Sequence, residues 1–206
     1  SHYTLLDLRT LCLPQDNEEV RESIQMICSH EKGPDGGINP SGSVNKSDVC
    51  INGMFLYYAC YFGTGEEGLK TVVDFILDQR MPDGGFNCRF NRSGARHSSL
   101  HSTLSVAEGI HEYSRQGYAY RLEELLQAEK ASREFILQHR LYKSDKTGEV
   151  IGQGRSLAEL ERQVPGRLEG FVRGGQTADH LYQFHHRHRI HEVHADHLLR
   201  PACLGG

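Results

Sequence analysis

Pro34-Asp35-Gly36-Gly37-Ile38 recurs further along the chain as Pro82-Asp83-Gly84-Gly85-Phe86. Each copy follows a stretch with apolar residues at helical spacing and precedes a second, more apolar stretch. Paired glycines after an aspartate suit a turn with positive φ, a conformation that most side chains resist. The chain therefore reads as a repeat of helix, glycine turn, helix. Units of that kind bury their apolar faces only by stacking on their neighbours.

Around the first copy, Asp16 and Glu19 have the spacing of a capping box, and Val20, Ile24, Ile27 and Cys28 follow at helical spacing. This predicts a half-buried helix over 16–31. Residues 33–47 form a loop, and 48–62 are apolar on nearly every face, which predicts an interior helix. Thr64 and Glu67 offer a second capping box, with Leu69, Val72, Val73, Ile76 and Leu77 in one stripe down to Arg80. The second loop spans 82–96 and the second inner helix 98–113. A third outer helix is predicted over 121–140, where Phe135-Ile136-Leu137 and Arg140 repeat Phe75-Ile76-Leu77 and Arg80. The fold class is all-α.

From Gly152 onward the helical period fades, lysine disappears, and seven of the thirteen histidines fall between His180 and His197. Residues 1–151 are thus read as the repeat domain. Residues 152–206 are read as a His/Arg/Gly-rich tail, poorly ordered and arising from a shifted reading frame or an unrelated fusion. A loose histidine cluster of this kind would bind Ni²⁺ or Zn²⁺ whatever its origin.

At 206 residues the chain has the length of one ordinary domain, and its formal charge of −4 provides no basic surface for nucleic acid. Six cysteines without a C-x-x-C pair suit a reducing compartment, and no secretory pattern is visible, so a cytoplasmic protein is expected. The longest apolar stretch, 49–62, falls short of the ~20 residues that a spanning helix needs.

Lys70 to Phe86, reading KTVVDFILDQRMPDGGF, resembles the Gln-to-Trp repeat of the terpenoid cyclase and protein prenyltransferase superfamily, among them bacterial prenyltransferase-like and squalene-cyclase-like proteins. The resemblance covers residues 1–151. It implies a partial (α/α) toroid of about two and a half helix hairpins joined by Gly-rich turns, with outer helices around inner ones. A closed ring of this type uses more hairpins. The chain is therefore expected to be a fragment of a longer enzyme, or to self-associate through exposed inner helices. The resemblance further implies an isoprenoid or other apolar ligand in an axial cavity, with prenyl transfer as the expected chemistry. Polyene cyclisation is disfavoured, because the chain has no Trp to stabilise a carbocation and no D-x-D-D acid motif. The competing class is a non-catalytic helical toroid that binds a protein or a small ligand.

In protein prenyltransferases an Asp-x-Cys at the start of an inner helix supplies two zinc ligands and a later His the third. Asp48-Val49-Cys50 matches that pattern, and His97 or His101 is the histidine that the resemblance implies. Carboxylate, thiolate and imidazole suit Zn²⁺, whose open position would activate an acceptor thiol. The alternative is that Ser47 or Asp48 caps the helix and Cys50 is a small core residue. His97 and His101, four apart among Ser98, Ser99, Ser102 and Thr103, could share a metal or line a polar cavity with Asn52, Tyr57 and Ser102. Glu108 and Glu112 are the acid candidates and His101 a further catalytic candidate, although an exposed helix face explains Glu112 equally well. Asp35 and Asp83 are assigned to the turns.

Overall fold

Glycines with positive φ end the inner helices and shape the turns that lead back to them. A computed structural model describes residues 1–41 and 44–139, so the third loop, the boundary at 151/152 and the readings made for 152–206 lie outside the described residues. Among the described residues there are seven helices and no strand, which makes the protein all-α. None of these helices is long and apolar enough to cross a membrane.

Helix α2 (Glu18–His30) buries Val20, Ile24 and Ile27, the stripe read from the sequence. Its cap is Asn17 rather than Asp16, and the Asn17 side chain accepts a hydrogen bond from the Val20 amide at 3.0 Å. The shift follows from a turn in which the Asn17 N–H donates to the Pro14 carbonyl, at 3.2 Å. Helix α3 (Val49–Tyr61) is buried on nearly every face, as an interior helix should be. It closes on Gly63, φ +75°, with the Gly63 N–H donating to Cys60 and the Thr64 N–H to Ala59, the two bonds of a Schellman motif. Thr64 is consumed by that ending, so helix α4 (Glu66–Asp78) starts from Gly65 and the expected Thr64–Glu67 box does not form.

The second inner helix is α6 (Leu100–Arg115), capped by Ser99, which accepts from the Ser102 amide at 3.2 Å. It ends as α3 does, with Gly117 at φ +81°, the Gly117 N–H on Ser114 and the Tyr118 N–H on Tyr113. A short helix, α5 (Phe90–Ser93), interrupts the loop before it. Helix α7 (Leu122–Gln138) is the third outer helix. Helix α1 (His2–Thr10), which lies before the first stretch of helical spacing read above, packs against α3. Helix α3 is the hub, packing against α1, α4 and, most extensively, α6.

That last contact brings backbone against backbone. A Cβ on Gly53 would lie 2.6 Å from the carbonyl of Ser105, and one on Gly109 would collide with the carbonyl of Gly53. Only residues without a side chain permit so close a crossing.

The two Asp-Gly-Gly turns are built alike. Asp35 accepts from the Ser47 amide at 2.8 Å and from its hydroxyl at 2.6 Å. Asp83 likewise accepts from the Ser98 amide at 2.8 Å and from its hydroxyl. Each aspartate thus clasps the residue that leads into the next inner helix. The first glycines, Gly36 and Gly84, have φ of +85° and +92° and lie against the carbonyls of Thr71 in α4 and Ala131 in α7. The second glycines face Ser47 and Ser98 at distances that exclude a Cβ. The last residue of each turn is held by the inner helix itself. Asn52 accepts from the Ile38 amide at 2.7 Å and donates to its carbonyl at 3.0 Å, and Thr103 meets the Phe86 amide at 3.0 Å. The outer helices are also linked, since Asp74 of α4 accepts from Arg121 at 2.7 Å and from the Tyr120 hydroxyl.

Gly53→Ala is expected to lose about 1–3 kcal/mol, because the obstacle is a neighbouring helix backbone that cannot rotate away. Gly36→Ala should lose about 1–2 kcal/mol from its left-handed φ. Gly68→Ala, with only a methyl of Thr64 at 3.6 Å, should be neutral or gain up to ~1 kcal/mol. Urea denaturation of the three variants measures this order.

The clasp also carries a pH signature. Burial pushes the Asp83 carboxyl up, but the Ser98 hydroxyl and amide, with the Gly85 amide, outweigh it and hold Asp83 below the ordinary aspartate value of 3.8. A depressed folded value means that the stabilisation is present above the unfolded value and lost as the pH falls through the folded one. Asp83→Asn should therefore be less stable than the parent near neutrality and show a smaller further loss below about pH 4. Thermal melts across that range test it.

Candidate functional site

The residues singled out at the start of the inner helices fall into three separate sets of contacts. Asp48 occupies the N-cap position of α3, yet its side chain makes no capping bond and instead pairs with Arg92 at 3.0 Å. Burial raises the Asp48 carboxyl and the Arg92 charge pulls it back, leaving it above its ordinary value. Ser47 does not cap with its side chain either, because its hydroxyl is given to Asp35.

Cys50, in the first turn of α3, meets a residue that was not anticipated. Its backbone N–H donates to the sulfur of Cys88 at 3.3 Å. Ser102 completes the group, with its hydroxyl 3.2 Å from the Cys88 sulfur and 3.3 Å from the Cys88 amide nitrogen, which donates to it. The Cys50 thiol is the largest influence holding Cys88 below the ordinary thiol value, against burial and the Asp48 charge, which push it up. Cys50 moves the opposite way, raised by donating to Cys88 and by burial. Ser102, expected in a cavity wall, thus serves the cysteine pair and the first turn of α6.

His97 and His101 are exposed, and the His97 carbonyl accepts from Asn87 at 2.8 Å. Asp48, Cys50, His97 and His101 are not drawn together. Among the described residues no group of three or more His, Cys, Asp or Glu is arranged to hold a metal ion. The Asn52 amide is spent on Ile38 and on the Asp48 carbonyl.

At the other end of α6, Glu112 is buried rather than exposed. It forms an ion pair with Arg9 at 2.6 Å, the two side chains being 1% and 6% exposed. Gln116 donates to its second oxygen at 2.6 Å. The Arg9 guanidinium lies 4.3 Å from the ring centroid of Tyr57 and 4.9 Å from that of Tyr61, so two tyrosine faces cover it. Tyr57, expected to line a cavity, is therefore buried against α1. A second polar contact fixes the same helix, with His2 Nδ1 2.7 Å from the Tyr58 hydroxyl and Nε2 2.8 Å from Glu31. Glu108, the other acid candidate, is buried one turn before Glu112.

Two functional features escaped the sequence. Cys88 follows the second turn at a position where the first repeat has Pro40, so repetition gives no hint of it. Arg9 sits in a segment without an apolar period, and only its distant partners reveal its burial. Compared with family models, with curated proteins and with solved structures, the chain matches none.

Removing one partner of a buried ion pair strands the other charge and costs about 3–5 kcal/mol, whereas replacing both by apolar residues can be nearly neutral. Arg9→Met and Glu112→Leu should each be strongly destabilising, and the double variant should lose much less than the sum of the two. A double-mutant cycle by chemical denaturation measures the difference.

Proposed function

We propose that this chain is a helical-repeat protein of the α/α-toroid type, prenyltransferase-like in architecture, that binds an isoprenoid or other apolar ligand as a scaffold. The observation that supports the architecture is the duplicated clasp: Gly36 lies on α4 and Gly84 on α7, each turn docked on the outer helix of the following unit. Binding is favoured over zinc-assisted transfer by the positions of the donors. Asp48 is paired with Arg92 and Cys50 with Cys88, while His97 and His101 lie exposed apart from them. The reading goes with a cytoplasmic protein, and with self-association through the inner helices as the route to a larger ring.

The experiment measures zinc and ligand together on the purified full chain. A dansyl-tagged farnesyl probe should show a saturable fluorescence rise that unlabelled farnesol reverses. Zinc should be well below one equivalent and unchanged in Cys50→Ala. Stoichiometric zinc that disappears in Cys50→Ala would overturn the scaffold reading in favour of a metal-assisted transferase. Failure of the probe to saturate would remove the isoprenoid ligand.

A further inference from the structure

Among the cysteines in the described part of the chain, two stand against each other. Cys50 opens α3 and Cys88 lies beyond the second glycine turn, so they are remote in sequence and belong to successive units. The Cys50 amide nitrogen lies 3.3 Å from the Cys88 sulfur, which places that sulfur at the first turn of α3 beside the backbone that carries the Cys50 side chain. Both thiols are free and half-buried. Cys60 is fully buried and Cys28 is half-buried, and burial pushes both of their thiols up.

The surroundings of the pair divide the labour between its members. The Cys88 sulfur accepts from a first-turn amide at the positive end of α3 and lies 3.2 Å from the Ser102 hydroxyl, surroundings that favour the attacking thiolate, and the neighbouring Cys50 thiol lowers its pKa further. The Cys50 thiol is raised and so keeps its proton, and its residue opens α3 beside that sulfur, the place of a resolving thiol. Arg92 sits on the Asp48 carboxylate, offsetting the one nearby negative charge that opposes a thiolate.

We infer that Cys50 and Cys88 form a dithiol site for thiol–disulfide exchange with a low-molecular-weight disulfide of the glutathione type. The Cys88 thiol gives its proton to water and the resulting thiolate attacks one sulfur of the small disulfide, so that a Cys88 mixed disulfide forms and one small thiolate leaves. That thiolate takes up a proton. Cys50 then gives its own proton to water and attacks the Cys88 sulfur, forming the Cys50–Cys88 bond and expelling the second small thiolate, which is protonated in turn. Two protein thiols have lost two electrons and two protons, and one small disulfide has become two thiols. The bridge ties the first turn of α3 to the segment that follows the second turn. This inference is independent of the ligand proposed above.

The test uses the reduced full-length protein with glutathione disulfide, quenching with N-ethylmaleimide and mapping unreduced peptides by mass spectrometry. A linked Cys50–Cys88 peptide should accumulate at least about tenfold faster than any adduct on Cys28 or Cys60. Cys50→Ser should instead retain glutathione on Cys88, and Cys88→Ser should leave Cys50 fully alkylated by the maleimide. Helical circular dichroism identifies a variant that fails to fold, and the wild-type peptide map then decides alone. Cys50 and Cys88 both remaining alkylatable at the rate of Cys60, or a stable glutathione adduct on wild-type Cys88 with no linked peptide, would overturn the inference.

Discussion

Gly53 and Gly109 allow α3 and α6 to approach until backbone touches backbone, and the remaining contacts are arranged around that crossing. Helix α3 carries apolar side chains all round and needs cover on every side. Burial of apolar area stabilises by about 25 cal/mol per Å², and a closer crossing excludes water from more of it. Helices α1 and α4 cover other faces of the same helix. Because α6 lies so near, groups in its first two turns reach those of α3: the Ser105 hydroxyl donates to the Cys50 carbonyl at 2.9 Å, and Ser102 meets Cys88 beside Cys50. The same crossing sets the far end, where Arg9 spans from α1 to Glu112.

Two kinds of glycine punctuation alternate along the repeat. Gly63 and Gly117 close inner helices with Schellman hydrogen bonds, and Gly36 and Gly84 open the way back inward. Between them the aspartates do with side chains what a longer loop would do with backbone, holding the Ser47 and Ser98 amides in place. The chemistry-bearing residues lie just beyond these clasps, so their positions are inherited from the turn. That is why a short loop can present Cys88 to a helix of the preceding unit.

Sequence patterns revealed the parts of this structure that depend on near neighbours. Apolar residues three and four apart located α2 and α4, the repeated Phe-Ile-Leu located α7, and the unbroken apolar run located α3, since the periodic and unbroken signals arise from one face or all faces being buried. Helix starts were misplaced by a residue or two where another motif competed, as at Thr64, which the ending of α3 claims. Helix α1 was not legible. Its buried His2 and Arg9 are polar residues whose burial is made tolerable by Tyr58, Glu31 and Glu112, all far along the chain. The site divides in the same way. Asp48 and Cys50 were correctly placed at the head of α3, but their true neighbours, Arg92 and Cys88, come from an irregular loop with no counterpart in the first unit. Asn52 illustrates the converse, an amide on a helix face that looks available until its turn partner is known.

The docking of each clasp on the next outer helix gives the repeat a direction. Gly36 rests on Thr71, and Lys32 reaches forward to the Gly68 carbonyl at 3.3 Å and to the Thr71 hydroxyl, so the first unit leans on residues synthesised after it. Gly84 leans in the same sense on Ala131. During synthesis, the turn around Gly36 stays without its support until α4 has left the ribosome, and the turn around Gly84 until α7 has. Each newly emerged outer helix therefore completes the unit before it and leaves its own incomplete. Through these two turns, the growing end of the chain is one helix short of completing its latest unit.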